Sequence, residues 1–359
     1  MLQTITDPNN SYFSDEHTYR GGITLRYTKR QKMKATEAIP WGDTADFLNL
    51  LLSVTPTHER LHYERGMVDT VITHNTMLFE PSLEVKLFMK KDHFRPIQLR
   101  LFHDAKNVPL INFVDFRDDA TPLIVRLGNP DLKKWTAVTW FTGEYKDMRS
   151  ARQNWYASTI LSYHHNDVAQ SVIFNPETGV YTYRPENVSG TWCIQAKSGL
   201  FCNLDADRRW TLENKVHGSY LHWLGYSLLD GATESDVIAV NTTMLHDEAY
   251  IQYNKEALNV RLTGDIMWRH SEGRIRDLAT LNAVDFQYGV NARHTLPVQK
   301  TTVSADINMY SRCGYGSSEL NADDLVLNAS LSQPLLKGKL IARLEVFDLL
   351  HQLSTPNMR

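Results

Sequence analysis

His164 and His165 are the side chains best suited by type to hold a metal ion, since imidazole nitrogen is a common ligand for zinc and related cations. Adjacent residues on an extended strand point to opposite faces, so these two share an ion only across a bulge, and no metal site is expected. Asp118-Asp119 and Asp323-Asp324 fall in segments read as external loops, where carboxylates can take a cation or cationic ligand, or serve simply as solvated charge. Gly314-Tyr-Gly-Ser-Ser318 sets its first serine one place too late for the Gly-x-Ser-x-Gly nucleophile elbow. No Walker loop, His-Glu-x-x-His or Cys-x-x-Cys occurs. Cys193 and Cys202 lie on one expected strand, about 30 Å apart, too far to bond. Cys313 sits at the boundary of a long loop, and an odd cysteine count without metal-like spacing reads as incidental thiols. No catalytic, cofactor-binding or metal-binding residue is therefore expected, and the chain is not expected to be an enzyme. What remains is a set of charges: Arg261, Asp265, Arg269, Arg293, Arg343 and Glu345. They fall on the polar parity of expected strands, where they suit a watery lumen or a solvent-exposed sheet face.

The elements that position these charges are strands. Leu258, Val260, Leu262, Gly264, Ile266 and Trp268 alternate with Asn259, Arg261, Thr263, Asp265, Met267 and Arg269. A period of two gives one apolar and one polar face. The pattern recurs at Val284–Arg293, Val303–Met309 and Lys339–Val346. Connections alternate in length. Tight ones fall near Lys90–Pro96, Lys146–Arg152, Asp205–Trp210, Asn254–Glu256, His294–Pro297 and Gln333–Gly338. Long ones fall near His103–Lys134, Asn175–Gly190, Tyr226–Val240, Ser271–Ala283 and Arg312–Asp324. One rim is trimmed and the other elaborated, which is the asymmetry of outer-membrane barrels.

A soluble sandwich shows the same parity, because it too has a dry and a wet face. Several runs of about 10 to 14 residues are longer than the usual globular strand of about five or six and can cross a tilted hydrocarbon layer. Trp135, Trp155, Trp192, Tyr220, Trp223, Tyr253, Trp268 and Tyr310 recur near strand ends, where an interfacial girdle places aromatics and where ordinary core aromatics also occur.

Composition sets the outer bounds. The chain has 359 residues and a net charge of −3, which gives no basic footprint for nucleic acid. Phe47–Val54 is the most apolar short segment and far too brief for a membrane helix of about 18 apolar residues. Met1 leads into Asp7-Pro-Asn-Asn10 with neither a basic start nor an apolar core, so no signal peptide is expected. Taken literally this means a cytoplasmic protein; the alternative is a piece of something longer.

Thr121-Pro-Leu-Ile-Val-Arg-Leu-Gly-Asn-Pro-Asp-Leu-Lys133 resembles the "P-L-x-I-x-x-G-N-P-x-L-K" segment in the barrel of TonB-dependent receptors of Bacteroides-type bacteria. Phe174-Asn-Pro-Glu-Thr-Gly-Val-Tyr-Thr-Tyr-Arg-Pro-Glu-Asn-Val-Ser-Gly190 is similar to that family's hairpin and the following "N-V-x-G" start of a new strand. Ser311-Arg-Cys-Gly-Tyr315, Leu327-Asn-Ala-Ser-Leu-Ser332, Leu336-Lys-Gly-Lys-Leu340 and Phe347-Asp-Leu-Leu-His-Gln352 resemble its C-terminal hairpins in order and spacing. The physics of these motifs is that of turns. Gly128-Asn129-Pro130 turns the chain into a strand near Trp135, and Asn175–Gly179 is a hairpin tip.

The resemblance implies an all-β fold: a large antiparallel up-and-down transmembrane β-barrel, incomplete, with about 12 to 14 strands present against about 22 in complete members. Residues 83–359 are read as the C-terminal part of the barrel, and residues 1–82 as N-terminal barrel strands, near Gly22–Lys29 and Leu61–Ile72, with an irregular segment. The implied function is the barrel portion of a receptor for energised nutrient uptake in the cell outer membrane. Its implied partners are outer-membrane lipid, a plug domain, the TonB system and a small-molecule, metal-chelate or glycan ligand. Family members also carry a signal peptide, a TonB-contacting segment and a closing strand, none of which this chain is read to hold. It ends at Thr355–Arg359, so a fragment or truncated product is expected. Two alternatives stand: a soluble all-β binding or adhesion protein, and a β-rich carbohydrate-active enzyme with two carboxylates about 5 to 10 Å apart.

Overall fold

The computed structural model describes residues 12–32, 44–88, 96–114, 117–121, 123–150, 153–229, 231–273, 280–297, 300–336 and 339–352. Alternating residues form strands throughout: β1 (Phe13–Arg20), β2 (Ile23–Lys32), β3 (Thr44–Arg65), β4 (Val68–Phe88), β5 (Pro96–Asn107), β6 (Arg117–Thr121) and β7 (Ile124–Leu127). They continue with β8 (Trp135–Ser150), β9 (Gln153–His165), β10 (Asp167–Asn175), β11 (Val180–Val188), β12 (Trp192–Asn203) and β13 (Trp210–Ser227). The last are β14 (Asp236–Lys255), β15 (Leu258–Gly273), β16 (Leu281–Thr295), β17 (Thr302–Cys313), β18 (Ala322–Leu335) and β19 (Leu340–Val346). Among the described residues helical geometry is confined to 3-10 turns, at Leu110–Phe113, at Ser318–Leu320 and at Leu336.

One 15-stranded antiparallel up-and-down sheet runs in the order β1-β3-β4-β5-β8-β9-β12-β13-β14-β15-β16-β17-β18-β19. β2 lies end to end with β1 against β3, the break at Gly21-Gly22 standing opposite Pro56. The sheet is open: among the described residues no pairing joins β1 or β2 to β19. The architecture is therefore an antiparallel up-and-down wall rather than a closed barrel. Residues 82 and 83 both lie inside β4, paired to β5, and the sheet has no break there.

The alternation of connections is present. β12–β13, β14–β15 and β16–β17 turn tightly at one rim, and β5–β8, β9–β12, β13–β14 and β17–β18 make long excursions at the other. The tight connection expected near Lys90–Pro96 falls mostly outside the described residues, as do Thr355–Arg359. Leu61–Ile72 is not one strand, because Gly66, at φ +57°, and Met67 turn the chain between β3 and β4. At the long-loop rim these strands of 22 and 21 residues reach past the end of β5, and β1 accompanies β3 there, paired as far as Glu64. Alternation had not marked them out, since Thr55-Pro-Thr-His-Glu-Arg60 lacks a two-residue apolar repeat.

Direct pairing shows which residues share a face, because opposite residues on antiparallel strands point the same way. Leu262 pairs with Ile251 and Val290, Val290 with Ile307, and Ile307 with Leu327, so apolar residues meet apolar residues across five strands. Arg261, one place along, pairs with Gln252 and Asn291, and Asn291 with Asp306. The buried core lies elsewhere. Leu61 and Tyr63 on β3 pack with Leu110 and Val114 of the long β5–β8 connection, and Val108, Phe113 and Leu132 cluster beside them.

Candidate functional site

Two features concentrate polar chemistry: the polar face of the wall and the cap of loops over its long-loop rim. The cap is a four-stranded sheet in the order β10-β11-β7-β6, with β7 parallel to β11. Two long connections therefore pair with each other, and the β13–β14 loop joins them through an Ile173–Glu234 bridge. Gly128 and Asn129 clasp the cap. A Cβ at Gly128 would sit 1.6 Å from the Val114 carbonyl oxygen, so only glycine lets the two backbones cross. Asn129 is 2 % exposed, and its amide uses both donors and both acceptor positions. Its Nδ2 donates to the Pro185 carbonyl (2.8 Å) and to Glu186 (3.0 Å); its Oδ1 accepts from Arg184 (2.9 Å) and from the Asp131 backbone N–H (3.0 Å). Gly128-Asn129-Pro130 does turn the chain toward β8, as its residue types imply, but it also ties segments that are distant in sequence. The Asn175–Gly179 hairpin tip forms as expected, with Gly179 at φ +70° and Asn175 Oδ1 accepting from Glu177 N–H (2.9 Å).

Between cap and wall lies a cavity of about 520 Å³, bordered by Lys106, Thr136, Asp167, Gln170, Trp223 and Tyr226. The β3–β4 hairpin closes one side of the cap. His74 on β4 packs its ring edge-on to Phe113 at 4.2 Å, and burial, then the charge of Lys134, hold its pKa below the ordinary histidine value.

The six charges expected on the polar parity all lie there. Arg261 stacks over the Tyr250 ring at 4.5 Å and donates from Nε to Gln252 (2.9 Å). Tyr250 donates to Glu213 (2.5 Å), which is paired with Lys215 (2.6 Å). Arg269 reaches the Met267 sulfur, Arg293 stands opposite Asn259 and Ser304, and Arg343 and Glu345 pair with each other. Asp265 meets His246 (3.1 Å), a histidine that sequence reasoning had not singled out. Its signal was present: His246 and Glu248 are two apart on one strand, hence on one face.

Other expected positions resolve differently. His164 bonds Asp167 (2.9 Å), whereas His165 bonds Thr139 (2.9 Å) and lies 5.6 Å from the His103 ring, so the pair divides between two faces. Asp323 and Asp324 are not in a loop; they begin β18, paired with Ser311 and Tyr310, because the β17–β18 ladder extends farther than alternation indicated. Asp118 and Asp119 lie on β6, and their side chains are outside the described residues. Cys193 and Cys202 share β12, and both are free, as is Cys313. In the loop Gly314–Ser318, Tyr315 donates to Asp285 (2.7 Å), and burial, then that bond, raise its pKa.

The aromatics sort by face. Tyr163 pairs with Trp192, whose ring lies tilted against Tyr220 at 5.0 Å, and Trp268 lies farther along the same apolar face. Near the short-turn rim Tyr145 meets Trp155 (5.1 Å) and Trp210 meets Tyr253 (4.7 Å). Trp223 and Tyr310 do not join these groups. By register they share the polar parity, where Trp223 lies over Gly225 and Tyr310 stands opposite Gln287. No family model matches the chain, and no curated protein and no solved structure matches it either.

Proposed function

We propose that this sheet is the wall of an outer-membrane β-barrel, belonging to a TonB-dependent type of nutrient receptor, with its apolar face against lipid and its polar face toward the lumen. The observation that carries the reading is a series of exposed apolar side chains that runs along one face of the sheet from β2 to β19 among the described residues. Leu25 is 65 % exposed, Leu101 47 %, Leu161 41 %, Leu245 48 %, Leu262 47 %, Ile307 39 % and Leu344 63 %. A soluble sandwich covers such a face with a second sheet about 10 Å away; a lipid layer does the same for a barrel wall. The aromatic groups near both rims of this face support the same placement, since Trp and Tyr favour the headgroup level. In this reading the cap is the outward, ligand-receiving side, the plug occupies the lumen, and edges β1, β2 and β19 pair with further wall strands. Unpaired backbone groups in hydrocarbon cost several kcal/mol each.

Folding the full chain into micelles of ordinary and brominated detergent tests the proposal. The expected result is dependence on detergent for a monodisperse state, with bromine quenching apolar-face Trp192 and Trp268 but sparing Trp140, which pairs with Ser162 on the polar face. A folded, monodisperse chain in detergent-free buffer would overturn the membrane placement.

A further inference from the structure

Trp223 has no place in the aromatic groups near the rims: it lies on the polar parity of β13 and is 40 % exposed there. A large apolar ring on the watery side of a sheet forgoes the burial that normally stabilises it. Its position is nevertheless fixed. A Cβ at buried Gly225, two residues along on the same face, would run into the six-membered ring, so glycine lets the indole lie across the strand. The strand order supplies the space beside it. β12 begins at Trp192, opposite His222, so from Trp223 onward β13 has no β12 neighbour, and β10 approaches there instead. The cavity of about 520 Å³ between cap and wall is the gap left between them.

The charges around the cavity are unequal. Asp167 has both oxygens occupied, Oδ1 by the Thr136 hydroxyl (3.0 Å) and Oδ2 by His164 Nδ1 (2.9 Å). Glu186, whose charge reaches Tyr226, is held by Asn129 (3.0 Å) and Arg184 (3.6 Å). Lys106, exposed and directly opposite Thr136, forms no ion pair among the described residues. One uncompensated ammonium therefore borders the same cavity as an open indole face, with Val168 and Leu224 as apolar walls. We propose that this cavity binds a small aromatic carboxylate, its ring stacked on Trp223 and its carboxylate received by Lys106. A planar ring covers the wet indole by offset stacking, and a carboxylate answers a lone ammonium with a charge-assisted hydrogen bond. A cationic ligand would be repelled by Lys106, and a neutral polyol would leave that ammonium without a counter-charge. Size agrees, since small-ligand sites occupy about 300–1,000 Å³. As the cargo of a receptor this ligand rests on the proposed function; as a bound molecule it rests on the cavity alone.

The full chain in detergent micelles is dialysed to equilibrium against 2-naphthoate, with protein-free micelles as the reference. One saturable equivalent is expected. The amide of the same ring system, 2-naphthamide, should bind at least about tenfold more weakly, since it keeps the ring and loses the charge. Lys106→Met should abolish that preference, leaving both probes at the weaker affinity. Trp223→Ala should weaken both probes about tenfold, and Gly225→Ala, which displaces the ring without removing it, should act in the same direction. Trp210→Phe, at the short-turn rim, should leave binding as it was. Lys106→Met and Trp223→Ala alter exposed side chains, so circular dichroism should stay unchanged in both. No binding above the protein-free reference, or equal affinity for the two probes in the unaltered chain, would overturn the aromatic-carboxylate site. Undiminished binding in Trp223→Ala, or an intact preference in Lys106→Met, would overturn its placement in this cavity. A chain that folds without detergent would overturn the membrane reading alone, and the same dialysis in plain buffer would still test the site.

Discussion

Asn129 shows how much one side chain can organise when every polar atom it carries is used. Replacing it with alanine removes the side-chain partner of the Pro185 carbonyl and of the Asp131 N–H, and one of the partners of the Arg184 guanidinium, which keeps Glu186 and Asp131. At about 1 kcal/mol per hydrogen bond, and more for the charged donor, Asn129→Ala should destabilise the cap by roughly 2–4 kcal/mol. Hydrogen exchange would report it as faster exchange in residues 108–134 and 166–191, with β14 and β15 unchanged; uniform acceleration would mean that the clasp holds the whole wall. Gly128-Asn129-Pro130 was readable in the sequence as a turn, since that follows from residue type alone. The clasp was not, because its partners Arg184, Pro185 and Glu186 lie on another connection and only the folded chain brings them near. A second residue tests whether the apolar face meets lipid. Asp247 lies on the apolar face, opposite Val216 and Ile266, and accepts from Asn214 at 2.5 Å. A polar pair facing hydrocarbon is a liability, whereas on a water-exposed face it is neutral. The double change Asn214→Val with Asp247→Leu should therefore raise the thermal midpoint in detergent, and a lowered midpoint would argue that this face meets water.

At the scale of elements, the β3–β4 hairpin acts as a side wall for the cap, and His74 sits at that contact against Phe113. His74 stands opposite buried Glu59, and burial together with Lys134 disfavours its protonated form. The unfolded imidazole takes a proton near its ordinary pKa of about 6.5, whereas the docked one does so only at lower pH. Its contribution to stability is complete above that value and is lost as pH falls below it. Exchange protection of residues 110–114 should thus decline between pH 7.5 and 5.5, and His74→Gln should remove the pH dependence; unchanged protection at pH 5.5 would exclude His74 as the sensor. The strands β15, β16, β17 and β19 were legible because each carries a two-residue repeat long enough to fix its own parity. β3 and β4 were not, because Pro56, Pro81 and a polar middle interrupt that repeat, and pairing with neighbours overrides the local signal. The pairing of β7 with β11 was equally hidden, since a parallel contact between separate loops leaves no local mark.

Over the whole molecule, the pairing contains a stagger that no single strand reveals. A row of directly opposed residues runs Leu101, Phe141, Leu161, Ile194, Tyr220, Thr243, His270 and Asn282. It starts in the middle of β5 and ends beside the long-loop rim of β16, so the row climbs as it crosses the sheet. Strands in a barrel wall tilt by about 35–45°, and the register of successive strands must shift accordingly. Residue types follow the climb: Leu101, Phe141, Leu161 and Ile194 are apolar, whereas Thr243, His270 and Asn282 are polar. If the wall lies in lipid, depth follows the rim rather than the row. Nitroxides at Leu101, Tyr220 and His270, in the chain held in bicelles, should then show rising contact with a water-soluble nickel chelate and falling contact with oxygen in that order. Equal exposure to the chelate at the three sites would mean that no tilted hydrocarbon band crosses this face. A monotonic gradient along residues that are hydrogen-bonded neighbours, strand to strand, is the depth profile of a tilted wall in a bilayer, because a face wetted uniformly by water gives no reason for opposed residues to differ.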